Sequence, residues 1–251
     1  MNEAATSPPR WLGLISIFTV LAIWEAACRM EAIPPALLPS VSTIASRFFV
    51  FLTDPYLLTQ LGTTLQRLAA GLTLAIVIGV VVGIMASMYR PTSKILEIVI
   101  GILAPLPKIA LYPALLLTLG FDHAPKIALV AIDALFPILI ATFQAVRLMD
   151  SKLLWSASSM GTTRLSSVYK IVLPACLPAV LTGIRIGAVI ACIVVLLAEM
   201  LASTNGLGHV LVSASRSFRS ADMFVPIIIM SLIGFSLDKG LAFLARKSAH
   251  R

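Results

Sequence analysis

The sequence predicts an all-α integral membrane protein with about six membrane-spanning helices. Three observations predict this class: of 251 residues, 59% are hydrophobic, only 12% are charged, and the mean hydropathy is +1.00. Soluble domains carry roughly 25% charged residues, so a soluble fold of this composition would leave much apolar surface in water. The composition therefore excludes an ordinary soluble enzyme, and its hydrophobicity excludes a disordered chain.

Six apolar stretches are long enough to cross a bilayer, because a helix rises 1.5 Å per residue and about 20 apolar residues span the hydrocarbon core. Transmembrane strands alternate apolar and polar positions over about ten residues, and these stretches do not alternate. The six spans are predicted at residues 11–28, 64–88, 95–119, 126–146, 181–201 and 224–245.

The segment between the first two spans contains an apolar run, residues 44–52, that is too short and too polar at its ends to cross the membrane. Residues 38–42 offer capping side chains before a short apolar run at 44–52, and Asp54-Pro55 ends that run. These signals predict a short helix near the outer surface. In the second span, Gly71, Gly79 and Gly83 predict close packing against another helix. The third span is interrupted by three prolines at 105, 107 and 113.

Lysine and arginine in the loops predict that both termini lie in the cytoplasm, because cytoplasmic loops are enriched in these residues. The net charge of +8 is therefore assigned to basic loops and not to a nucleic-acid partner. Ten residues make up the inside set: Arg10, Arg90, Lys94, Arg147, Lys152, Arg164, Lys170, Arg246, Lys247 and Arg251. Six make up the outside set: Arg29, Arg47, Arg67, Lys126, Arg216 and Arg219.

The longest inside loop, residues 147–178, has a helical pattern of its own. Asp150 or Ser151 can cap a helix whose apolar residues Leu153, Ala157 and Met160 fall on one face. Gly161 follows, where a helix end needs a left-handed residue. A second helix then carries an apolar face and is predicted to end at Leu173-Pro174, because proline disfavours a helical conformation in the residue before it.

This loop resembles the cytoplasmic signature of permease subunits in binding-protein-dependent ABC importers. The signature places a glycine nine residues before an Ile-x-Leu-Pro sequence, as Gly161 precedes residues 171–174 here. Segments 38–40, 105–113, 178–187, 198–201 and 205–208 are similar to the nitrate, sulfonate and taurine branch of that family. The resemblance covers residues 38–211 and a sixth span, with several segments in the right order.

One position departs from the family pattern. The signature's glutamate, six residues before the glycine, is replaced by Trp155. The departure puts in doubt any polar contact that the glutamate normally makes. The resemblance implies an ATPase-coupling loop carried by ten residues: Asp150, Leu153, Leu154, Trp155, Ala157, Met160, Gly161, Ile171, Leu173 and Pro174.

The resemblance also implies an assembly in the bacterial cytoplasmic (inner) membrane. Two permease chains, expected as a homodimer surrounded by membrane lipid, would form the pathway. Two cytoplasmic ABC ATPase subunits would bind ATP and magnesium, and an extracytoplasmic substrate-binding protein would deliver the substrate. No phosphate-binding loop of the form G-x-x-x-x-G-K-[ST] occurs in this sequence. We therefore expect no cofactor on this chain and no nucleic-acid partner.

Three ionisable residues within the spans are candidates for the translocation pathway, because charges in the membrane are costly and commonly functional. They are Lys108, Asp133 and Glu199. The alternative for Lys108 is a packing role, paired with Asp133 or with backbone carbonyls freed by the prolines. Residues 205–208 could form an outer gate or a plain turn. Three cysteines and three histidines are scattered along the chain, which predicts no metal site and no disulfide framework.

The predicted organisation is a cytoplasmic tail (1–10), one transmembrane permease domain (11–246) with the coupling loop at 147–178, and a second tail (247–251). The predicted function is a non-enzymatic permease subunit for a small nutrient, either a nitrate-, sulfonate- or taurine-like anion or a vitamin precursor. An ion-gradient-driven secondary transporter is the main alternative, and it would need coupling-ion sites in place of an ATPase. A membrane-embedded enzyme would need clustered His, Asp or Cys residues near one interface, which the sequence does not contain.

Overall fold

The computed structural model describes residues 10–30, 34, 37–149, 152, 159 and 161–249, and every regular element among them is helical. This confirms the all-α class. The elements are α1 (Arg10–Arg29), α2 (Val41–Thr53), α3 (Pro55–Ser87), α4 (Arg90–Leu103), a 3₁₀ turn (Lys108–Leu111), α5 (Tyr112–Leu119), α6 (His123–Leu148), α7 (Arg164–Ser167), a π-helical turn (Val168–Val172), α8 (Leu173–Leu201), α9 (Leu207–Arg216) and α10 (Ser220–Ala249).

Four helical segments in the described residues are long and apolar enough to cross a membrane. They are α3, α6, the segment that joins the π-helical turn to α8, and α10. A fifth is counted if α4 and Lys108–Leu119 form one span, and that pair is bent by 85° at its break. The predicted number of six spans is therefore not confirmed. α1 covers the first predicted span with 20 helical residues but is not among these segments.

The predicted caps between the first two spans are present. The Ser40 side chain accepts a hydrogen bond from the Thr43 amide (3.2 Å) at the start of α2. The Asp54 carboxylate accepts one from the Tyr56 amide (2.8 Å), and Pro55 occupies the first turn of α3. Because this cap lies well before the apolar run, α3 begins nine residues earlier than the predicted span and reaches 33 residues.

The core is centred on α6, which packs between α3 and α8. A Cβ atom added at Gly71 would lie 2.6 Å from Val130 on α6, and one added at Gly83 would lie 2.9 Å from Thr142. From the other side, a Cβ atom at Gly183 of α8 would lie 2.6 Å from the Cβ of Ala141. Small residues let the helix backbones approach closely, as predicted for α3. The three helices therefore form one tightly packed layer.

The prediction that the second loop helix ends at Leu173-Pro174 is wrong. The Leu173 amide donates to the Val168 carbonyl, five residues back, and the helix continues through Pro174 into α8. Proline lacks an N–H group and its ring crowds the carbonyl four residues before it. The wider π-helical turn shifts the hydrogen-bond ladder just before the proline, so the chain absorbs it without a break. Residues Val168–Leu201 therefore form one helical segment of 34 residues.

Candidate functional site

Glu199 lies near the end of α8 and is the centre of a buried polar cluster. Its carboxylate accepts hydrogen bonds from Arg67 Nη1 (2.7 Å), Thr64 Oγ1 (2.8 Å) and the Gly208 amide (3.0 Å). The side chains of Arg67 and Glu199 are 1% and 0% exposed. A buried charge is tolerated when it is paired and hydrogen-bonded, and this carboxylate has a cation and two neutral donors.

Arg67 extends the cluster from α3 to α6 and to the turn before α9. Its Nε donates to His123 Nδ1 (3.2 Å), its Nη1 to the Asn205 carbonyl (3.2 Å) and its Nη2 to the Asn205 side-chain oxygen. The planar guanidinium thus contacts three parts of the chain at once, a geometry that a lysine ammonium cannot reproduce. One side chain fixes the relative positions of α3, α6, α8 and the turn.

The turn at residues 205–208 is held by the first amides of α9. The Gly206 amide donates to Gln60 Oε1 (2.6 Å) and the Leu207 amide to Thr64 Oγ1 (2.8 Å). A carboxylate at a helix N-terminus is also favoured by the helix dipole, and Glu199 occupies that place for α9. The structure therefore contains the predicted turn, anchored on α3 and α8. A role as a gate stays a prediction.

Arg67 belongs to the cluster although the sequence did not predict it there. The pattern of lysine and arginine places Arg67 and Lys126 in outer loops, whereas both lie within helices and are 1% exposed. Lys126 Nζ donates to the carbonyls of Phe121 and Asp122, both at 2.8 Å. A signal was available for α3: Gln60, Thr64 and Arg67 recur at helical spacing, so these polar side chains share one face.

Lys108 and Asp133, two candidate pathway residues, lie close to each other, with Lys108 at the break between α4 and α5 and Asp133 within α6. Lys108 Nζ is 3.6 Å from Asp133 Oδ1, and it donates to the carbonyls of Ala104 (2.8 Å) and Leu106 (3.3 Å). It also lies 4.5 Å from the ring centroid of Phe136. These are the contacts that the packing alternative predicts. Among the described residues, no hydrogen bond or ion pair joins Lys108 or Asp133 to the Glu199 cluster, so a shared pathway role stays a prediction.

Within the coupling loop, residues 150–174, the structure describes Lys152, Ser159 and the residues from Gly161 onward. Gly161 has φ +77°, the left-handed conformation that the sequence predicts at this position. Beyond it, Val172 is completely buried and packs in a small core with Ile84 of α3, Val146 of α6 and Cys176 of α8. Six of the ten coupling residues lie outside the described residues: Asp150, Leu153, Leu154, Trp155, Ala157 and Met160.

Among the described residues, no three His, Cys, Asp or Glu side chains are grouped so that they could hold a metal ion. The polar side chains described above are instead satisfied by one another and by the backbone.

Comparisons with known proteins give a consistent result. A putative aliphatic sulfonates transport permease protein, SsuC, of Bacillus subtilis strain 168 is 31% identical over 94% of this chain and 86% of its own length. The taurine transport system permease protein TauC of Escherichia coli K12 is 26% identical over 94% of this chain and 88% of its own. The fold matches a chain in an inward-facing crystal structure of the MetNI methionine ABC transporter, with a TM-score of 0.65 and 17% identity, covering 77% of this chain and 96% of that chain.

Residues 75–250 match the family described as the binding-protein-dependent transport system inner membrane component. The match covers more than half of the chain, and it includes α6, α8 and the described part of the coupling loop. These findings confirm the resemblance noted in the sequence, and they identify a transport subunit, not an enzyme. The chain belongs to the family of inner-membrane permease components of binding-protein-dependent ABC importers.

Proposed function

We propose that this permease carries a small organic sulfonate, such as an alkanesulfonate or taurine, across the cytoplasmic membrane. Support comes from the sulfonate and taurine permeases that resemble it over 94% of its length. In this proposal the chain pairs with a second permease, expected to be another copy of itself, within membrane lipid. An extracytoplasmic binding protein delivers the substrate, and separate cytoplasmic ATPase chains bind ATP and magnesium.

The observation that carries the coupling part of this proposal is the continuity of Val168–Leu201. At 1.5 Å per residue, 34 helical residues extend roughly 50 Å. The segment begins inside the proposed coupling loop, residues 150–174, and its far end holds Glu199. A displacement of the loop by the ATPase would therefore reach the buried cluster at the opposite end of the helix without crossing a flexible joint.

The proposed orientation, with both termini in the cytoplasm, is supported by the burial of Arg67 and Lys126. Both were counted as loop charges on the outer side, but each is satisfied inside the protein. Without them, the lysine and arginine residues of the loops are more strongly biased to the proposed cytoplasmic side.

The first test is to purify the tagged chain gently from its own membranes and to identify the proteins that accompany it. We expect an ATPase that is lost when residues 150–174 are replaced by a flexible linker of equal length. The matched control replaces Arg216 and Arg219, on the proposed outer side, with serine and should retain the ATPase. A chain that purifies without an ATPase, under conditions that preserve a known importer complex, would contradict the proposal.

Uptake by cells separates the proposed transporter from the ion-driven alternative and tests the substrate class. We expect uptake of radiolabelled taurine that depends on ATP and is inhibited by vanadate. Short alkanesulfonates should compete with it more strongly than nitrate or a vitamin precursor such as a substituted pyrimidine. Competition by the pyrimidine alone would overturn the sulfonate assignment and leave the importer assignment intact. Uptake that resists vanadate but is abolished by an uncoupler would favour a secondary transporter.

A further inference from the structure

A cavity of about 880 Å³ lies between the start of α8 and the end of α10. Its walls are mainly apolar, with Leu177 and Leu181 from α8 and Leu244 from α10. Leu177 and Leu244 are 38% and 50% exposed, so their side chains are open to whatever surrounds the protein. The cavity is therefore a groove on the outer surface of the helix layer, and not part of the packed core.

Two lysines lie at one end of this groove. Lys170 comes from the π-helical turn and Lys247 from the last turn of α10, and both line the cavity and are exposed. Neither makes an ion pair with another described residue. By contrast, Arg185 of α8 and Asp238 of α10 pair with each other (Nη2–Oδ2 3.1 Å). The groove end thus has two positive charges with no internal counter-ion among the described residues.

The length of the groove matches one leaflet of a bilayer. Lys170 and Leu181 are eleven residues apart along a continuous helix, which corresponds to roughly 16 Å. Half of a typical hydrocarbon core is about 15 Å thick. With Lys170 and Lys247 at the membrane surface, the leucines would therefore lie at the depth of one acyl chain.

We infer that this groove binds an anionic phospholipid, with its phosphate between Lys170 and Lys247 and one acyl chain along Leu177, Leu181 and Leu244. The charge is complementary, because a basic pocket between transmembrane helices attracts an anionic headgroup. The apolar wall needs a hydrocarbon partner, which a soluble anion does not supply. In the proposed orientation the lipid belongs to the cytoplasmic leaflet, so the inference rests on the proposed function for that assignment.

The test is native mass spectrometry of the intact complex, released from nanodiscs that contain phosphatidylcholine with a minor fraction of phosphatidylglycerol. We expect the complex to retain phosphatidylglycerol, and the double variant Lys170→Gln/Lys247→Gln to retain about twenty-fivefold less. Each lysine near an anionic surface contributes a factor of about five. The matched control Arg90→Gln/Lys94→Gln removes two exposed charges from the start of α4, on the same proposed side, and should retain the lipid.

A second variant tests the apolar half of the site. Ala175 lines the groove and is exposed, so Ala175→Trp fills it without changing its charge and should also reduce retention. Equal retention in the parent and in both groove variants would overturn the inference. A loss of the ATPase from the double variant with unchanged lipid would show that a protein covers the groove, and would overturn it as well.

Lipid retention is measured independently of transport, so the two proposals can fail separately. Taurine uptake with no retained phosphatidylglycerol would remove the lipid site alone. Retained lipid in a chain that transports no sulfonate would remove the substrate assignment alone. If the double variant fails to assemble, the single variant Lys247→Gln, which lies outside the proposed coupling loop, replaces it. We expect Lys247→Gln to retain about fivefold less phosphatidylglycerol than the parent.

Discussion

Arg67 Nη1 and Glu199 Oε1 lie 2.7 Å apart, although 132 residues separate them in the sequence. The pair joins α3 to the end of α8, and both side chains are removed from solvent. The Glu199 carboxylate also accepts a hydrogen bond from the Gly208 amide, so it holds the turn that leads into α9. This charged contact therefore links α3, α8 and the start of α9 inside the protein.

Breaking this pair should destabilise the protein strongly. We expect Arg67→Met to lower the free energy of unfolding by about 3–5 kcal/mol, because it leaves a buried carboxylate without its cation. Replacing both partners, with Arg67→Met/Glu199→Leu, should cost less than the sum of the two single changes. Denaturant unfolding of the purified complex in detergent measures all three values.

An exposed ion pair provides the control. Arg47 Nε lies 3.5 Å from Asp222 Oδ1, and the Arg47 side chain is 53% exposed. Exposed pairs contribute about 0.2–1 kcal/mol, so Arg47→Met should change stability by no more than that. An Arg67→Met variant as stable as Arg47→Met would show that the buried pair does not hold the helices together.

The glycine contacts give a prediction with opposite signs at two positions. Gly183→Ala places a Cβ atom 2.6 Å from the Cβ of Ala141 and 2.9 Å from the carbonyl oxygen of Pro137. Overpacking of this kind costs about 1–3 kcal/mol. Gly62→Ala, on α3, places its Cβ atom more than 4 Å from any atom of the part of the chain that the structure describes and should stabilise by up to about 1 kcal/mol through helix propensity. Thermal unfolding of the two variants, side by side, decides whether α6 and α8 are packed as closely as described.

Features that depend only on neighbouring residues in the sequence, such as helix caps and left-handed turns, could be predicted from the sequence. Ser40, Asp54 and Pro55 are capping residues whose partners lie within three positions, so α2 and the start of α3 could be predicted. The glycines of α3 correctly predicted close packing, because small residues in membrane helices commonly allow two helix backbones to approach closely. Gly161 was predicted correctly in the left-handed region because its φ of +77° is a local property of the turn.

Tertiary structure determined the features that the sequence analysis missed. Arg67 was assigned to a loop because a charged residue is unexpected inside a membrane helix unless its partner is known. That partner, Glu199, is 132 positions away, and no local sequence pattern connects the two residues. Pro174 predicts the end of a helix, because proline disfavours a helical conformation in the residue before it. The π-helical turn before Pro174 instead accommodates the proline within one continuous helix. The predicted number of six spans is not confirmed, because the predicted third span is two helices bent by 85° and α1 is not among the spans found in the described residues.

Lys108 offers a test between packing and pathway roles. Its contacts with two carbonyls, Asp133 and Phe136 lead us to expect that Lys108→Met lowers the thermal unfolding midpoint. The loss should exceed that in Asp133→Asn, which leaves the lysine its two carbonyls and the aromatic ring. If Lys108 instead contacts the anionic substrate, Lys108→Met will raise the KM for uptake at least tenfold with an unchanged unfolding midpoint.

Gly161 tests the proposed coupling of ATP hydrolysis to uptake. We expect Gly161→Val to hydrolyse ATP at near the parent rate but to transport several-fold less substrate per ATP. A β-branched residue is strained at φ +77°, at a cost of about 1–3 kcal/mol, so the turn before α7 must change its direction. Because α7 leads through the π-helical turn into α8, a redirected turn alters the start of the segment that ends at Glu199. Reconstituted proteoliposomes give hydrolysis and uptake in the same preparation.

Gly120 is the matched control for this backbone strain. It has φ +81° and, like Gly161, no atom of the described residues within 4 Å of an added Cβ, but it lies between α5 and α6 on the proposed outer side. Gly120→Val should therefore lose a similar amount of stability and keep the parent ratio of substrate transported to ATP hydrolysed. Equal losses of that ratio in both variants would assign the effect to general strain. An unchanged ratio in Gly161→Val would show that the loop transmits its movement by a route that does not depend on this turn.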